Sequence, residues 1–311
     1  MEILVTGGAG FIGGRLSGRL VDLGHKVTVV DDLSTGSLKN IPPQCEFFEL
    51  DLSINETYDH LPTNFDMVFH LASQVSSEHS HIDPINDIRR NALSTLQLLQ
   101  WIMNNKIKKL AYTSSMGVYP DMLGVGAKED EIMRPKSFYG IGKMCSEEYI
   151  RIFSEEGLNT TVYRLFNVYG PGQDLSNLKQ GIVSIYLSYI LKNKPILVKG
   201  PLDRVRDFIF IDDVINALLT GLIPESKNQI FNVCSGVGHS IKELLEILID
   251  ETNNPIHYTV EILPRTPRDI DSVYGDYSKL NSICNWEPQS SLRSGIKEMI
   301  SSYKNSENLK S

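Results

Sequence analysis

A doubly wound parallel α/β sheet with a smaller C-terminal α/β lobe is the fold class this sequence predicts, on three observations. The chain opens with an apolar strand that runs into a glycine-rich turn and a helix; strand and helix patterns then alternate through its first half; and the second half departs from that alternation. With 311 residues, 41% hydrophobic and 22% charged, the chain has room for one large domain and a smaller one.

The first element is the most informative. Glu2 to Thr6 reads as a short strand, Gly7-Gly8-Ala9-Gly10 as a turn, and Phe11-Ile12-Gly13 as the start of a helix. This is the layout of a Rossmann-like dinucleotide-binding unit. Gly7 permits the tight turn, Gly10 lets backbone N–H groups approach a pyrophosphate, and Gly13 lets the helix lie close on the strand. The spacing is GxxGxxG rather than GxGxxG, so its weight comes from its position between strand and helix. Arg15 to Leu23 continues the helix up to Gly24, and Lys26 to Val30 is a second strand closing on Asp31-Asp32. An acidic residue there hydrogen-bonds the adenosine ribose hydroxyls and repels a 2′-phosphate, so Asp31 predicts NAD rather than NADP. The competing use of Asp31 is local, because Asp-Asp-Leu-Ser-Thr-Gly is also good turn chemistry.

The remaining elements follow in order. Cys45 to Glu49 is a third strand, with Asp51 and Leu52 after it near an adenine, and Met67 to Ala72 is a fourth. His70, at the end of that strand, reads as a packed structural histidine. A long helix from about Pro84 to Asn104 carries Asn91, Lys109 to Ser115 is a fifth strand, Ser137 to Glu156 a second long helix, and Thr160 to Arg164 a sixth strand. Ligands of such a sheet gather at the C-terminal ends of its strands. The polar tail from about Lys304 reads as disordered.

Composition removes several classes of function. A net charge of -8 with no basic run argues against nucleic acid. No apolar run approaches the ~20 residues of a membrane span, and a strand beginning at residue 2 leaves no place for a signal peptide. The cysteines Cys45, Cys145, Cys234 and Cys284 form no CxxC pair; they read as reduced thiols of a cytoplasmic protein, with no disulfide framework and no metal site.

The chemistry sits in two stretches that this topology brings together. One is Tyr112 to Tyr119, where a strand runs out into a loop and leaves the hydroxyls of Ser114 and Ser115 at its end. The other is Tyr139-Gly140-Ile141-Gly142-Lys143, the one YxxxK among thirteen tyrosines, at the start of the second long helix. Residues four apart share a helix face, so Lys143 stands beside Tyr139. A phenol titrates near 10, and a useful base near neutral pH needs that lowered by about 3 units, or about 4 kcal/mol. One ammonium about 4 Å away, at an effective dielectric of about 20, supplies about that much. The expectation is therefore a Tyr139 whose pKa is lowered by Lys143, with cationic oxidised nicotinamide adding to the effect.

Taken together these residues carry a resemblance. The chain resembles the extended short-chain dehydrogenases/reductases of the NAD-dependent epimerase/dehydratase family, and within it is most similar to the UDP-glucose 4-epimerases. The likeness runs from about residue 1 to 300 and rests on Thr6 to Gly13, Asp31, Asp51-Leu52, His70-Leu71-Ala72, Asn91, Ser115, Tyr139/Lys143 and Arg164-Leu165-Phe166-Asn167. Arg206-Asp207-Phe208, Asp276-Tyr277-Ser278-Lys279 and Trp286-Glu287-Pro288 follow in family order. The resemblance implies that Tyr139 is the catalytic base, that Lys143 lowers its pKa and holds the nicotinamide ribose, and that Ser115 bonds the reacting sugar oxygen. The implied NAD-binding set is Gly7, Gly10, Phe11, Ile12, Gly13, Asp31, Asp32, Ser34, Gly36, Asp51, Leu52, Leu71, Ala72, Ser73, Asn91, Ser114, Tyr139, Lys143 and Phe166. Besides Ser115 and Tyr139, the implied substrate set is Asn167, Arg206 on the diphosphate, and the Asp269 region. There a threonine, Thr266, stands where the family has a further arginine, so either Arg265 or Arg268 takes that place.

The family comparison also implies a discontinuous organisation: residues 1–167 plus about 205–235 as the NAD-binding domain, and about 168–204 plus 236–311 as the substrate domain. After the catalytic hydroxyl, relatives that eliminate water carry an acidic pair, and the related decarboxylases a glutamate. Met116-Gly117 offers neither, which favours a nucleotide-sugar 4-epimerase using a 4-keto intermediate over a dehydratase or reductase of the same family. A non-catalytic NAD-binding sensor or scaffold is the third reading, opposed by the intact Ser115, Tyr139 and Lys143. Val273 falls where relatives gate 2-acetamido groups, or else packs beneath the pocket. The two long helices resemble those of a homodimer interface, with Leu96, Leu99, Ile102, Tyr149, Ile152 and Phe153 as stripes that serve either interface or core. The implied setting is polysaccharide or glycan precursor synthesis.

Overall fold

The computed structural model describes residues 1–122, 124–178, 181–253, 258–266 and 268–308. In chain order the elements are β1 (Glu2–Thr6), α1 (Phe11–Asp22), β2 (Lys26–Asp31), β3 (Glu46–Glu49), β4 (Met67–His70), α2 (Ser77–Ile82), α3 (Pro84–Ile88), α4 (Ser94–Asn104), β5 (Lys109–Ser115), α5 (Phe138–Glu155) and β6 (Asn159–Leu165). They continue as β7 (Asn167–Tyr169), α6 (Ile182–Leu191), β8 (Ile196–Lys199), β9 (Val205–Phe210), α7 (Ile211–Leu219), β10 (Gln229–Val233), β11 (Gly238–Ser240), α8 (Ile241–Thr252), β12 (Val260–Leu263), β13 (Ser272–Val273), α9 (Ser278–Cys284) and α10 (Leu292–Asn308).

Two compact units result, one of residues 1–118, 137–164 and 215–231, the other of 119–136, 165–214 and 232–311. The first is built on a seven-stranded sheet of order β10-β6-β5-β4-β1-β2-β3. Pairs β1–β2, β2–β3, β1–β4 and β4–β5 are parallel. The chain leaves β1 toward β2 and β3 on one side and returns to β4 and β5 on the other. The switch point between β1 and β4 is where ligands of such sheets bind. Leu4, Val30, Val68 and Leu110 from the strands close on Leu98, Leu99 and Ile102 of α4 and Ile150 of α5, all at most 1% exposed. At about 1.5–3 kcal/mol for each fully buried large apolar side chain, this layer anchors the sheet.

The second unit holds the strands β11-β9-β13, with β7 also paired to β9, and a separate β8–β12 ladder. Here the structure departs from the expected boundaries. The stretch 205–235 does not return whole to the first unit, because β9 pairs with β7, β11 and β13 and only β10 joins the large sheet. Residues 119–136 also lie in the second unit, where Met122 N donates to Ser272 O at 2.8 Å and Ala127 N to Tyr274 O at 2.8 Å.

Two further expectations are corrected. The helix expected from Pro84 to Asn104 is interrupted by a π-helical turn at Arg89–Leu93, which carries Asn91. Such turns widen the hydrogen-bond ladder and re-aim side chains. The tail from Lys304 is helical to Asn308, as the end of α10.

Candidate functional site

The glycine turn connects β1 to α1. Gly7 has φ +69°, and a Cβ on it would lie 2.6 Å from the backbone nitrogen of Ala72, so the turn sits directly against the chain leaving β4. A Cβ on Gly13 would lie 2.2 Å from the Gly7 carbonyl oxygen, which is the close helix-on-strand approach the spacing anticipates. Gly10 caps α1 with no side-chain hydrogen bond. The first N–H groups of a helix have no partner within it, so those of Phe11 and Ile12 are available to an anion, and the helix dipole favours one.

Asp31 ends β2 and is buried. Its Oδ2 accepts from Ala9 N at 3.0 Å and its Oδ1 from Leu33 N at 2.9 Å. Burial raises its pKa despite those bonds. Gly36 folds back over it, since a Cβ there would lie 2.9 Å from Asp31 Oδ1. Asp32 accepts from Ser34 N at 3.0 Å and Ser34 Oγ at 2.6 Å, while Asp51 accepts from Ser53 N at 2.9 Å. Leu52 is core. Leu71 N and Ala72 N both donate to Thr6 Oγ1 at 3.2 Å, and Ser73 is half-buried beside them. His70 is fully buried between Thr6 Oγ1 at 2.7 Å and Thr95 Oγ1 at 3.1 Å, and burial pushes its pKa down to about 3. It is a neutral structural histidine.

The residues expected to carry the chemistry gather at the end of β5 and the first turns of α5. Ser137 caps α5 by accepting from Gly140 N at 3.1 Å. The Ser115 hydroxyl, which accepts from Gly117 N at 3.1 Å, stabilises the Tyr139 phenolate. A Cβ on Gly117 would lie 3.4 Å from Ser115 Oγ and 3.6 Å from the Tyr139 ring, so this position borders both groups and carries no side chain. Lys143 is buried; its Nζ donates to the Thr113 carbonyl at 2.9 Å and stands 4.9 Å from the Tyr112 ring centroid and 5.9 Å from that of Tyr139. Ser114 Oγ donates to Glu147 Oε1 at 2.5 Å.

The expected lowering of the Tyr139 pKa is corrected by these surroundings. Burial pushes it up to about 12; the Ser115 hydrogen bond opposes the rise and the Asp87 carboxylate adds to it. Lys143 is itself pushed down to about 7 by burial, against the Asp87 and Glu147 carboxylates, which hold it up. Taking the phenolate out of water is the largest cause of the rise.

In the second unit Arg206 is buried and hydrogen-bonded through both terminal nitrogens. Its Nη1 donates to Val205 O at 2.8 Å and its Nη2 to Asp269 Oδ1 at 2.9 Å and Ile270 O at 2.5 Å. Arg204, also buried, bonds the other oxygen of Asp269 and donates from Nε to Pro201 O at 3.0 Å. Two buried guanidiniums thus share one carboxylate. Arg265 pairs with Asp271 at 2.7 Å, whereas Arg268 stands at φ +58° with no ion pair among the described residues. Pro135, Lys136, Arg265, Thr266, Arg268, Asp269 and Asp271 line an open cleft of about 570 Å³. Asn167 donates to Asp207 O at 2.7 Å, Phe166 is buried against Tyr119, and Val273 is fully buried on β13.

Three side-chain groups escaped the sequence reading. Arg90, on the π turn, bridges Asp32 at 2.5 Å and Asp51 at 3.4 Å, two carboxylates that sequence order separates. Glu147 holds Arg164 at 2.7 Å in a buried pair behind Lys143. Its spacing of four from Lys143 was visible on the helix. Arg204 lies two positions before Arg206, on the same side of an extended chain, and that alternation was the available signal.

Comparison with known proteins agrees with this architecture. A family model described as NAD dependent epimerase/dehydratase matches residues 3–234. A putative UDP-glucose 4-epimerase of Methanocaldococcus jannaschii is 33% identical over 310 residues, 97% of this chain and 98% of the relative. The crystal structure of a Thermotoga maritima UDP-glucose 4-epimerase with UDP-glucose superimposes with TM-score 0.93 at 33% identity, covering 98% of this chain and 99% of the other. A UDP-N-acetylglucosamine 4-epimerase of Methanobrevibacter ruminantium, in complex with UDP-N-acetylmuramic acid, superimposes with TM-score 0.87 at 31% identity, over 96% and 98% of the two chains.

Proposed function

The chain belongs to the NAD-dependent epimerase/dehydratase family, and from that premise we propose that it is a nucleotide-sugar 4-epimerase working through a 4-keto sugar. Its substrates are UDP-glucose and UDP-galactose, or the corresponding UDP-N-acetylhexosamines. The observation that carries this reading is Gly117. It borders the hydroxyl of Ser115 and the ring of Tyr139 and presents no acid or base there. Elimination of water from the sugar needs such a group in addition to the hydride step; inversion at one carbon does not.

The first unit fits NAD. The uncapped start of α1 suits the pyrophosphate, the Gly7 turn leaves no Cβ against Ala72, and Asp31 suits the adenosine ribose. When bound, NAD supplies the hydride acceptor and donor and, in its oxidised form, a positive charge. Tyr139 takes the proton of the sugar 4-hydroxyl as the C4 hydride leaves, and returns a proton to the C4 oxygen when hydride comes back to the opposite face of the sugar. Ser115 holds the sugar oxygen during both transfers, and Lys143 holds the nicotinamide ribose. In the second unit, the surplus positive charge of Arg204 and Arg206 over Asp269 suits a diphosphate. Arg268, with no carboxylate of its own among the described residues, is the better candidate of the two arginines flanking Thr266.

The protein acts as a homodimer in the cytoplasm, in precursor supply for surface polysaccharide or glycan. Exposed Ile82, Ile85, Ile88, Phe138, Ile141 and Ile152 on α2, α3 and α5 support the dimer, and no described helix is long and apolar enough to cross a membrane.

Proton NMR of products from UDP-glucose, UDP-galactose and their N-acetylated forms, with NAD and no reductant, tests the activity. Interconversion at C4 without accumulating NADH is expected, with loss of at least about 100-fold in Tyr139→Phe. A deoxy product, or stoichiometric NADH, would refute the epimerase reading.

A further inference from the structure

Asp87 is a fully buried carboxylate in α3 that the chemistry described so far does not use. Its Oδ1 accepts from Asn91 Nδ2 at 3.0 Å, and its Oδ2 has no hydrogen-bond partner among the described residues. That oxygen faces α5 at Gly142, where a Cβ would stand 3.4 Å from it and 3.1 Å from Asn91 Cβ. A side chain at 142 would crowd Asn91 on the π turn and touch Asp87. The next residue on α5 is Lys143.

The charges around this contact balance only if Asp87 is counted. Lys143, Glu147 and Arg164 are all buried. Glu147 is occupied by Arg164 through two nitrogens and by the Ser114 hydroxyl. The Lys143 ammonium donates to a neutral carbonyl. Arg164 therefore answers Glu147, and among the described residues the carboxylate that acts most on Lys143 is Asp87. An isolated buried charge is costly enough that a group in that position neutralises instead.

Resting on the reading of Tyr139 and Lys143 as the reacting pair, we propose that Asp87 is a positioning residue whose unpartnered oxygen keeps the Lys143 ammonium charged beside the reacting phenol. The surrounding groups agree in sign. Burial pushes Lys143 down, and Asp87 is the larger and Glu147 the smaller of the charges that hold it up. Burial raises Asp87, opposed by Asn91, by Lys143 and by His79 and His81 on α2. From β4 and β5, Lys143 is faced by the neutral His70 and by the Tyr112 ring, and from α5 by Tyr139. The same carboxylate raises Tyr139, so one buried anion acts on both partners of the pair.

The test is a carbon NMR titration of lysine Cε in the NAD-loaded full chain, with Lys143 assigned by its absence in Lys143→Arg. Asp87→Asn is expected to move the Lys143 midpoint acidward by about one pH unit, the effect of losing a nearby opposite charge, and Asp87→Glu to restore it. The alkaline limb of turnover moves with it, while KM for the nucleotide sugar stays constant. An unmoved midpoint in Asp87→Asn overturns the proposal even if turnover falls. Should that variant not fold, the wild-type Asp87 carboxyl resonance decides, because two groups that share a field titrate together. A step at the Lys143 midpoint is expected, and a flat trace there overturns the proposal. The titration needs no sugar nucleotide. Retained turnover in Tyr139→Phe would refute the reading of the reacting pair and leave the titration result intact.

Discussion

At the scale of single residues, burial decides more of this protein's chemistry than proximity does. His70 illustrates it. Its ring is closed between Thr6 and Thr95, and its pKa falls to about 3, below the ordinary histidine value of 6.5. In the unfolded chain the ring protonates as pH drops through 6.5, while in the folded chain it stays neutral until about 3. The native ring thus contributes stability that is present above pH 6.5 and is lost as pH falls toward 3. Urea unfolding of the wild type and of His70→Gln should show this: the stability difference narrows steadily over that interval, by up to about 5 kcal/mol in all. A difference independent of pH would mean that His70 titrates in the fold as it does in the unfolded chain. Tyr139 obeys the same rule, since desolvation first and Asp87 second raise its pKa. What the sequence supplied at this scale was identity and spacing: Tyr139 with Lys143 four residues on, Ser115 at a strand end, Asp31 at the close of β2. What it could not supply was the desolvation of each group, because that depends on which elements cover it.

At the scale of elements, the legible parts were those whose meaning is local. The β1 turn is the clearest. Gly13 lies against the Gly7 carbonyl with no space for a methyl group, the reason a glycine was expected there. Gly13→Ala should lower stability by about 1–3 kcal/mol, as overpacking does, and abolish NAD retention through gel filtration. Retention of bound NAD in that variant would show that the pyrophosphate lies elsewhere. The long helix after β4 was legible as helix but not as a helix with a π turn. The extra residue in the ladder leaves no mark on hydrophobic periodicity, yet it places Arg90 on Asp32 and Asp51 and Asn91 on Asp87. The apolar stripes of the two long helices were read with core and interface both open. Leu99 and Ile102 prove to be core and Tyr149 and Phe153 pack against it, whereas Ile152 is exposed with Ile82, Ile85 and Ile88.

At the scale of the whole molecule, those exposed isoleucines are the testable feature. Ile82 and Ile85 are 73% and 69% exposed on α2 and α3, far beyond what an isolated folded chain gains from apolar side chains. Sedimentation of the wild type should give the mass of two chains, and Ile82→Lys with Ile85→Lys should shift it to one, with the far-ultraviolet spectrum unchanged. A wild-type monomer would assign that face to another partner. The alternation of strand and helix, the glycine turn, the acidic close of β2 and the YxxxK spacing were enough to determine a doubly wound sheet, a dinucleotide site and a family of chemistry. Each rests on interactions within a few residues or on a periodicity that survives without knowledge of neighbours. Only the tertiary structure decided that β9 leaves the large sheet for β7, β11 and β13, that Arg204 and Arg206 share Asp269, and that Asp87 comes against Gly142. Those outcomes depend on partners far apart in the chain, and on how much water each pairing expels, which no local pattern of residues encodes.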